Sequence, residues 1–480
     1  MNTVTPITAT DTSADAMKAL LSRQRMSFLT EGPPSIETRI DRIDRVIALL
    51  VDNKDAIAAA LSEDFGSRSV EASLLLDVFT CVGSLKYAKA HLAEWLKPEE
   101  HEARFPDAVA KVVYQPKGVV GILSPWNFPY QLALAPLAGI LAAGNRAMIK
   151  PSEVTPASSA LMAELIARAF DEAEIAVVQG GPATGTAFTS LAFDHLIFTG
   201  GTAVAHHVMR AAAENLTPLT LELGGKSPVI VGRSADLADA ARRVMTVKTL
   251  NAGQICLAPD HVYVPAESVE AFAEHAVAAV AAMYPTLKEN PDYTSIVNGR
   301  HHARVQGLVD DARAKGARIV EINPAGESFS QQPTHRMPPI LILDPTEDMR
   351  ALQEEIFGPV LPVLAYRDIA DVIDRINARP RPLALYYFSQ DGEEERRVLD
   401  NTTSGGVTVN DCMSHVTAEG LPFGGVGHSG MGAYHGKFGF LTFSHPRAVY
   451  RQSKMVEAEY MMRPPFGEAM RGFLAGAICK

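Results

Sequence analysis

Between Ser13 and Leu61 apolar residues recur at helical spacing, as in Ile43, Val46, Ile47, Leu50 and Val51, with charged residues between them. The pattern predicts a helical opening segment. A polar stretch, 97–107, leads into 108–114, whose alternation predicts an exposed strand before Pro116-Lys117-Gly118. Short apolar runs then follow at 119–123, 147–149, 175–178, 195–198 and 219–223, most of them separated by helix-like stretches of about 10–15 residues. Such alternation predicts βαβ units, hence a parallel sheet with helices on both faces. The longest uncharged apolar run, 132–144, contains Pro136 and falls well short of the roughly 20 residues that span a bilayer, so it predicts a buried core helix.

Past Gly224-Gly225 a second series appears at 229–231, 262–264, 340–343, 360–364, 383–388 and 407–409, which predicts a second α/β domain. The Pro-, Gly-, Ser- and Gln-rich segment 323–339 reads as a surface loop, and the glycine-dense segment from Gly424 to Gly439 as too flexible for a helix. No internal repeat interrupts this order.

Composition narrows the function classes. The chain has 480 residues, enough for two to four packed units at about 100–200 residues each, and its 47% hydrophobic and 21% charged content excludes wholesale disorder. The net charge of -11, without a run of Lys or Arg, argues against nucleic-acid or membrane-surface binding and favours small-molecule chemistry. Cys81, Cys256, Cys412 and Cys479 are too few and too scattered for a disulfide framework or a zinc site. With no secretory signal in the first thirty residues, a cytoplasmic protein is expected.

Several segments carry candidate chemistry. Lys150-Pro151-Ser152-Glu153 lies at a strand end before a Pro-bounded turn, where open α/β sheets bind ligands. Phe198-Thr199-Gly200-Gly201-Thr202 is a second strand-to-helix crossing, small enough for backbone N–H groups to approach a phosphate. Cys256 follows the small-residue run Asn251-Ala252-Gly253, which could leave its thiol exposed at a turn, although a lone cysteine is usually a small buried hydrophobe. Glu222 stands at an apolar strand end just before two glycines, as a candidate base or a boundary charge. Asn127, in Ser124-Pro125-Trp126-Asn127-Phe128-Pro129, has its backbone fixed by two prolines and could donate to an oxyanion.

In this order these motifs resemble the aldehyde dehydrogenase superfamily over nearly the whole chain, together with Gly253-Gln254-Ile255-Cys256, Glu354-Glu355-Ile356-Phe357-Gly358-Pro359 and Leu421-Pro422-Phe423-Gly424-Gly425. The tail, Ser429-Gly430-Met431-Gly432 with Tyr434-His435-Gly436-Lys437 and Thr442-Phe443-Ser444-His445, resembles the class 3 branch and, within it, bacterial coniferyl aldehyde dehydrogenases. The resemblance implies an α/β fold with a doubly wound, parallel-sheet NAD-binding domain (1–105 and 118–223), an α/β catalytic domain (224–440) and a small β oligomerisation arm (106–117 and 441–480). In that arm 108–114 would pair with the C-terminal strand near 448–452, covering two edges that are otherwise unprotected.

The implied chemistry is oxidation of a small-molecule aldehyde, aromatic or medium-chain aliphatic, to the carboxylic acid. Cys256 would attack as the thiolate, Asn127 and the Cys256 N–H would hold the oxyanion, and Glu222 would activate the water that hydrolyses the thioester. A glutamate at 222 favours a free acid over an acyl-CoA product. The implied cofactor is NAD, with NADP use left open by Ala205, where many relatives carry glycine. Its contacts would be Trp126, Lys150, Glu153, Gly200, Gly201, Thr202, Leu223, Glu355 and Phe357, with Lys150 and Glu153 at the adenosine ribose and Glu355 and Phe357 at the nicotinamide side. No metal is implied, His428 and Cys412 are neighbours without an expected role, and a homodimer or homotetramer is expected. A cofactor-free thiol hydrolase using Cys256 and Glu222 is the competing reading.

Overall fold

The computed structural model describes residues 11–455 and 463–478; Cys479 lies outside the described residues. The helical opening comprises Ala14–Glu31, Ile36–Asp52 and Lys54–Phe65. Ser13 and Ser35 cap the first two, each hydroxyl accepting from the backbone N–H three residues on. Ile43, Val46 and Leu50 of the expected stripe are buried, whereas Val51, about 100° round the helix from Leu50, is exposed.

Five of the anticipated runs build a six-stranded sheet in the spatial order Gly430–Met431, Leu219–Leu223, His195–Gly200, Val119–Leu123, Arg146–Lys150, Ile175–Val177. Those five are parallel, and Gly430–Met431 joins antiparallel to Leu219–Leu223. From Val119–Leu123 the chain winds outward through Arg146–Lys150 to Ile175–Val177, then returns to the other side through His195–Gly200 and Leu219–Leu223. A topological switch therefore falls between Val119–Leu123 and His195–Gly200, and the loop holding Asn127 and the Gly200-Gly201 crossing leave from its carboxyl side.

A seven-stranded sheet follows in the order Arg318–Glu321, Ile340–Leu343, Val360–Tyr366, His261–Pro265, Pro228–Val231, Ala384–Phe388, Gly406–Val409. It too is parallel except at one edge, where Arg318–Glu321 runs antiparallel to Ile340–Leu343. Both sheets are thus mixed, not purely parallel. The added edge strands escape sequence patterning because one is a short segment with charges at both ends and the other is two residues beginning at glycine.

A third sheet is antiparallel and three-stranded: Glu99–His101, Val109–Pro116 and Ser444–Arg451. The pairing expected near Ala448 is present, with Val112 opposite Ala448 and Val109 opposite Arg451. Its short edge strand Glu99–His101 arises from the stretch read only as polar.

Two expectations are corrected. The run 132–144 is not one helix but two, Pro129–Leu134 and Leu137–Ala143, because Pro136 lacks the N–H that would continue the ladder. The glycine-dense segment does hold a helix, Gly436–Thr442. Its Gly439 lies against Gly139 of Leu137–Ala143 so closely that a Cβ on Gly139 would strike the Gly439 backbone; here glycine permits contact between elements and is not a source of flexibility. Among the described residues no helix is long and apolar enough to cross a membrane.

Candidate active site

Cys256 is delivered by an unusual turn. After the helix Leu237–Thr249 the chain passes through three consecutive left-handed residues, Asn251 (φ 49°), Ala252 (φ 52°) and Gly253 (φ 71°). Two of these carry side chains in a region such residues seldom adopt, so the turn must be held from outside. Gln254 supplies that hold: its Nε2 donates to the Asn251 carbonyl (2.9 Å) and the Ser295 carbonyl (3.1 Å), and its Oε1 accepts from the Val297 N–H (2.9 Å). Cys256 emerges half-buried, not exposed as its sequence context allowed. Burial and the nearby Glu355 and Glu222 carboxylates push its thiol up to about 12, against the opposing pull of the Cys256 and Leu257 N–H groups. The resting group is therefore a thiol, and a base must take its proton before it can attack.

Glu222 sits on Leu219–Leu223 between Thr199 and Gly430 of the neighbouring strands, 3% exposed. Neither carboxylate oxygen has a hydrogen-bond partner, and burial holds the carboxyl well above the usual range. An unsatisfied buried carboxylate is costly and marks a group kept for chemistry. Asn127, also 3% exposed, donates from Nδ2 to the Gln254 carbonyl (3.1 Å), which orients the amide and leaves its other N–H unassigned.

A cleft of about 250 Å³ unites these groups: Asn127, Glu222 and Cys256 line it with Trp126, Gly200, Gly201, Leu223, Glu355 and Phe357. Burial raises the Glu355 carboxyl to about 7, opposed by the Gly225 N–H bonded to it. Phe357, itself left-handed at φ 48°, meets Trp126 edge-on at 5.4 Å. Lys150, Glu153 and Thr202 lie off this cleft. Lys150 Nζ, buried at the end of its strand, pairs with Glu153 at 2.9 Å, and Thr202 Oγ1 donates to the His428 carbonyl (3.2 Å). Cys412 is buried, and neither it nor His428 lines the cleft.

His301 and Arg304 line the cleft as well, and the sequence reading missed both. They belong to the helix Gly299–Ala314, where His301 packs on Trp126 (4.7 Å) and Arg304 Nη1 donates to the Glu355 carbonyl (3.2 Å). Their i, i+3 spacing, which puts two polar side chains on one helix face, was the available signal.

The residues fit a dinucleotide cofactor. The helix Thr202–Ala213 begins at Gly201 with no side-chain cap, so its first N–H groups are unsatisfied by side chains, and a Cβ at Gly201 would meet only open space. That is the arrangement a diphosphate requires. The Lys150–Glu153 pair lies at the carboxyl end of Arg146–Lys150, two strands over from the crossing in the same sheet. Among the described residues no group of three or more His, Cys, Asp or Glu could hold a metal ion.

Comparison with known proteins accords with this geometry. The profile of the aldehyde dehydrogenase family matches residues 5–449. A Caulobacter vibrioides protein named "Probable coniferyl aldehyde dehydrogenase" is 59% identical over 98% of this chain and 99% of its own length. A Pseudomonas "Coniferyl aldehyde dehydrogenase" is 56% identical over 96% of each chain. Among solved structures, the substrate-bound state of Staphylococcus aureus AldH superposes with a TM-score of 0.91 at 33% identity, covering 96% of this chain and 99% of that one.

Proposed function

The chain belongs to the aldehyde dehydrogenase family, and from that premise we propose that Cys256, Glu222 and Asn127 are the catalytic centre of an enzyme for coniferyl-type aromatic or medium-chain aliphatic aldehydes. The family's reaction is NAD(P)-dependent oxidation of an aldehyde to its carboxylic acid. The observation that carries the assignment is the single cleft holding all three groups beside Glu355, Phe357 and the Gly200-Gly201 crossing. A cofactor-free thiol hydrolase is not supported; it leaves the crossing and the Glu355–Phe357 segment without use.

Each role follows from the environment of the group. Cys256 and Glu222 both resist ionisation, so the pair carries at most one negative charge comfortably; Cys256 gives up its proton to solvent water reaching the cleft, and Glu222 is kept as the base of the later hydrolysis. The freed thiolate attacks the carbonyl carbon. The developing oxyanion is met by the unassigned Asn127 Nδ2–H and the Cys256 N–H, donors worth roughly 10²–10³ in rate each. NAD(P), held by the residues around Gly200-Gly201, Glu355 and Phe357, would supply the hydride acceptor that lets the thiohemiacetal on Cys256 pass to a thioester. Glu222, its carboxylate unpartnered in the same cleft, then takes a proton from the attacking water, and the acid departs.

Glu153 supports NAD over NADP, because its carboxylate, held by Lys150, would face the 2′ position of the adenosine ribose and repel a phosphate there. Glu153→Gln should therefore raise the NADP/NAD ratio of kcat/KM. An unchanged ratio would remove Glu153 from the ribose site. For substrate choice, the coniferyl-type relatives support uncharged aldehydes, and Arg304, the guanidinium lining the cleft, is already bonded to the Glu355 and Ile356 carbonyls. A kcat/KM panel across coniferyl aldehyde, benzaldehyde, hexanal and succinic semialdehyde should rank the carboxylated member last; its clear win would overturn the assignment.

Other readings concern the setting. The NAD-binding role goes to 1–105 and 118–223, the catalytic role to 224–440 and the arm role to 106–117 and 441–480, an arm that would join copies into a homodimer or homotetramer. Free Cys81, Cys256 and Cys412 support a reducing, cytoplasmic compartment.

A further inference from the structure

Behind Asn127, away from the cleft, lies an ion pair sealed from solvent: Arg68 Nη2 and Asp77 Oδ2 are 2.7 Å apart, and both side chains are 0% exposed. Neither residue lines the cleft or reaches a reacting atom. Their remaining bonds converge on the segment that carries Asn127. Arg68 Nη1 donates to the Asn127 carbonyl (3.1 Å), and Asn251 Nδ2 donates to the same oxygen (3.2 Å), so both of its lone pairs are engaged. Asp77 Oδ1 accepts from the N–H groups of Tyr130 (3.0 Å) and Gln131 (3.2 Å), fixing the backbone just past Asn127. The guanidinium is also held between the rings of Phe65 (4.9 Å) and Phe128 (5.3 Å). Asp77 itself sits on a one-turn π-helical insertion, Leu74–Phe79, a feature that frequently accompanies functional sites.

The geometry points to Arg68 and Asp77 as positioning residues that set the direction of the Asn127 amide, an inference that rests on Asn127 being the oxyanion donor. The Asn127 side chain has one further anchor, the Gln254 carbonyl. With its peptide oxygen gripped by Arg68 and Asn251, and the following N–H groups gripped by Asp77, the residue cannot rotate about its backbone without breaking a buried, charge-assisted bond. The amide is thereby aimed before substrate arrives, which is what electrostatic preorganisation requires. Lysine cannot replace Arg68 in this, since one ammonium cannot reproduce the planar fork that reaches the carboxylate and the carbonyl together.

A double-mutant cycle tests the inference. Arg68→Lys, Asn127→Ala and their combination are compared with the parent by kcat/KM for benzaldehyde with NAD, by NADH affinity from fluorescence titration, and by thermal unfolding; Asp77→Asn replaces Arg68→Lys if the latter does not fold. Arg68→Lys should lower kcat/KM roughly 10- to 100-fold, as small misplacements of a catalytic group do, while leaving NADH affinity intact. The combined variant should match Asn127→Ala to within roughly twofold, because a misdirected donor cannot be lost twice. Losses that multiply, or an Arg68→Lys variant indistinguishable from the parent, would overturn the positioning role while Asn127 keeps its own. Full activity in Asn127→Ala would instead overturn the oxyanion assignment, and the positioning role with it.

Discussion

Cys256→Ala will produce no NADH, neither as a rapid first equivalent nor in steady state, when mixed with NAD and a good aldehyde substrate. The variant removes the only cysteine among the described residues that lines the cleft. Cys81 and Cys412 cannot substitute, because both are buried away from the cleft and burial raises their thiols well above the usual range. Without a thiohemiacetal there is no species from which hydride can leave, and loss of a nucleophile in a preorganised site costs roughly 10⁶ in kcat. Cofactor binding should persist, since Cys256 is not among the proposed dinucleotide contacts, and quenching of protein fluorescence on NADH titration checks this. Turnover by Cys256→Ala within tenfold of the parent, roughly 1.4 kcal/mol of barrier, would place the nucleophile elsewhere.

Glu222→Gln should slow steady-state turnover by the roughly 10²–10⁴ expected of a lost general base, and its pH profile carries the sharper information. Burial holds the Glu222 carboxyl above its usual range, and only the ionised form can accept a proton. The parent rate should thus rise with pH as Glu222 ionises and fall away as pH drops through that raised value, whereas the slow rate of Glu222→Gln should lack this limb. Removing one of the two carboxylates that press on Cys256 should also ease ionisation of the thiol, so acylation need not slow in step with hydrolysis. A profile unchanged in Glu222→Gln would assign the limb to another group, for which Glu355, raised to about 7, is the candidate.

Legibility from sequence followed the physics of each element. The strands 119–123 and 196–198 were readable because a parallel strand buried on both faces is nearly continuously apolar, and 219–223 because its three leucines keep the apolar pattern around Thr220 and Glu222. Their carboxyl ends could then be located, and with them Asn127, Gly200 and Glu222. Arg318–Glu321 was not readable, since as an edge strand it buries little and its residues look like loop. The break at Pro136 was readable in principle; the apolar run masked it. At the site, the residue types disclosed the chemistry but not its electrostatics. That Cys256 would be pushed to about 12 depends on Glu222 and Glu355, which reach it from 34 residues before and 99 residues after along the chain. Arg68 and Asp77 act through tertiary contacts and carry no local motif, and although the spacing of His301 and Arg304 puts them on one helix face, only the folded chain brings that face to the cleft.

The central claim is that catalysis passes through an acyl group on Cys256 which Glu222 removes. The direct test is mass spectrometry of Glu222→Gln, quenched in acid after mixing with NAD and coniferyl aldehyde, with NADH followed in the same sample. The account predicts one equivalent of NADH per site and a matching acyl adduct on the peptide that contains Cys256. An equivalent of NADH with Cys256 unmodified, or the adduct on another residue, would contradict it.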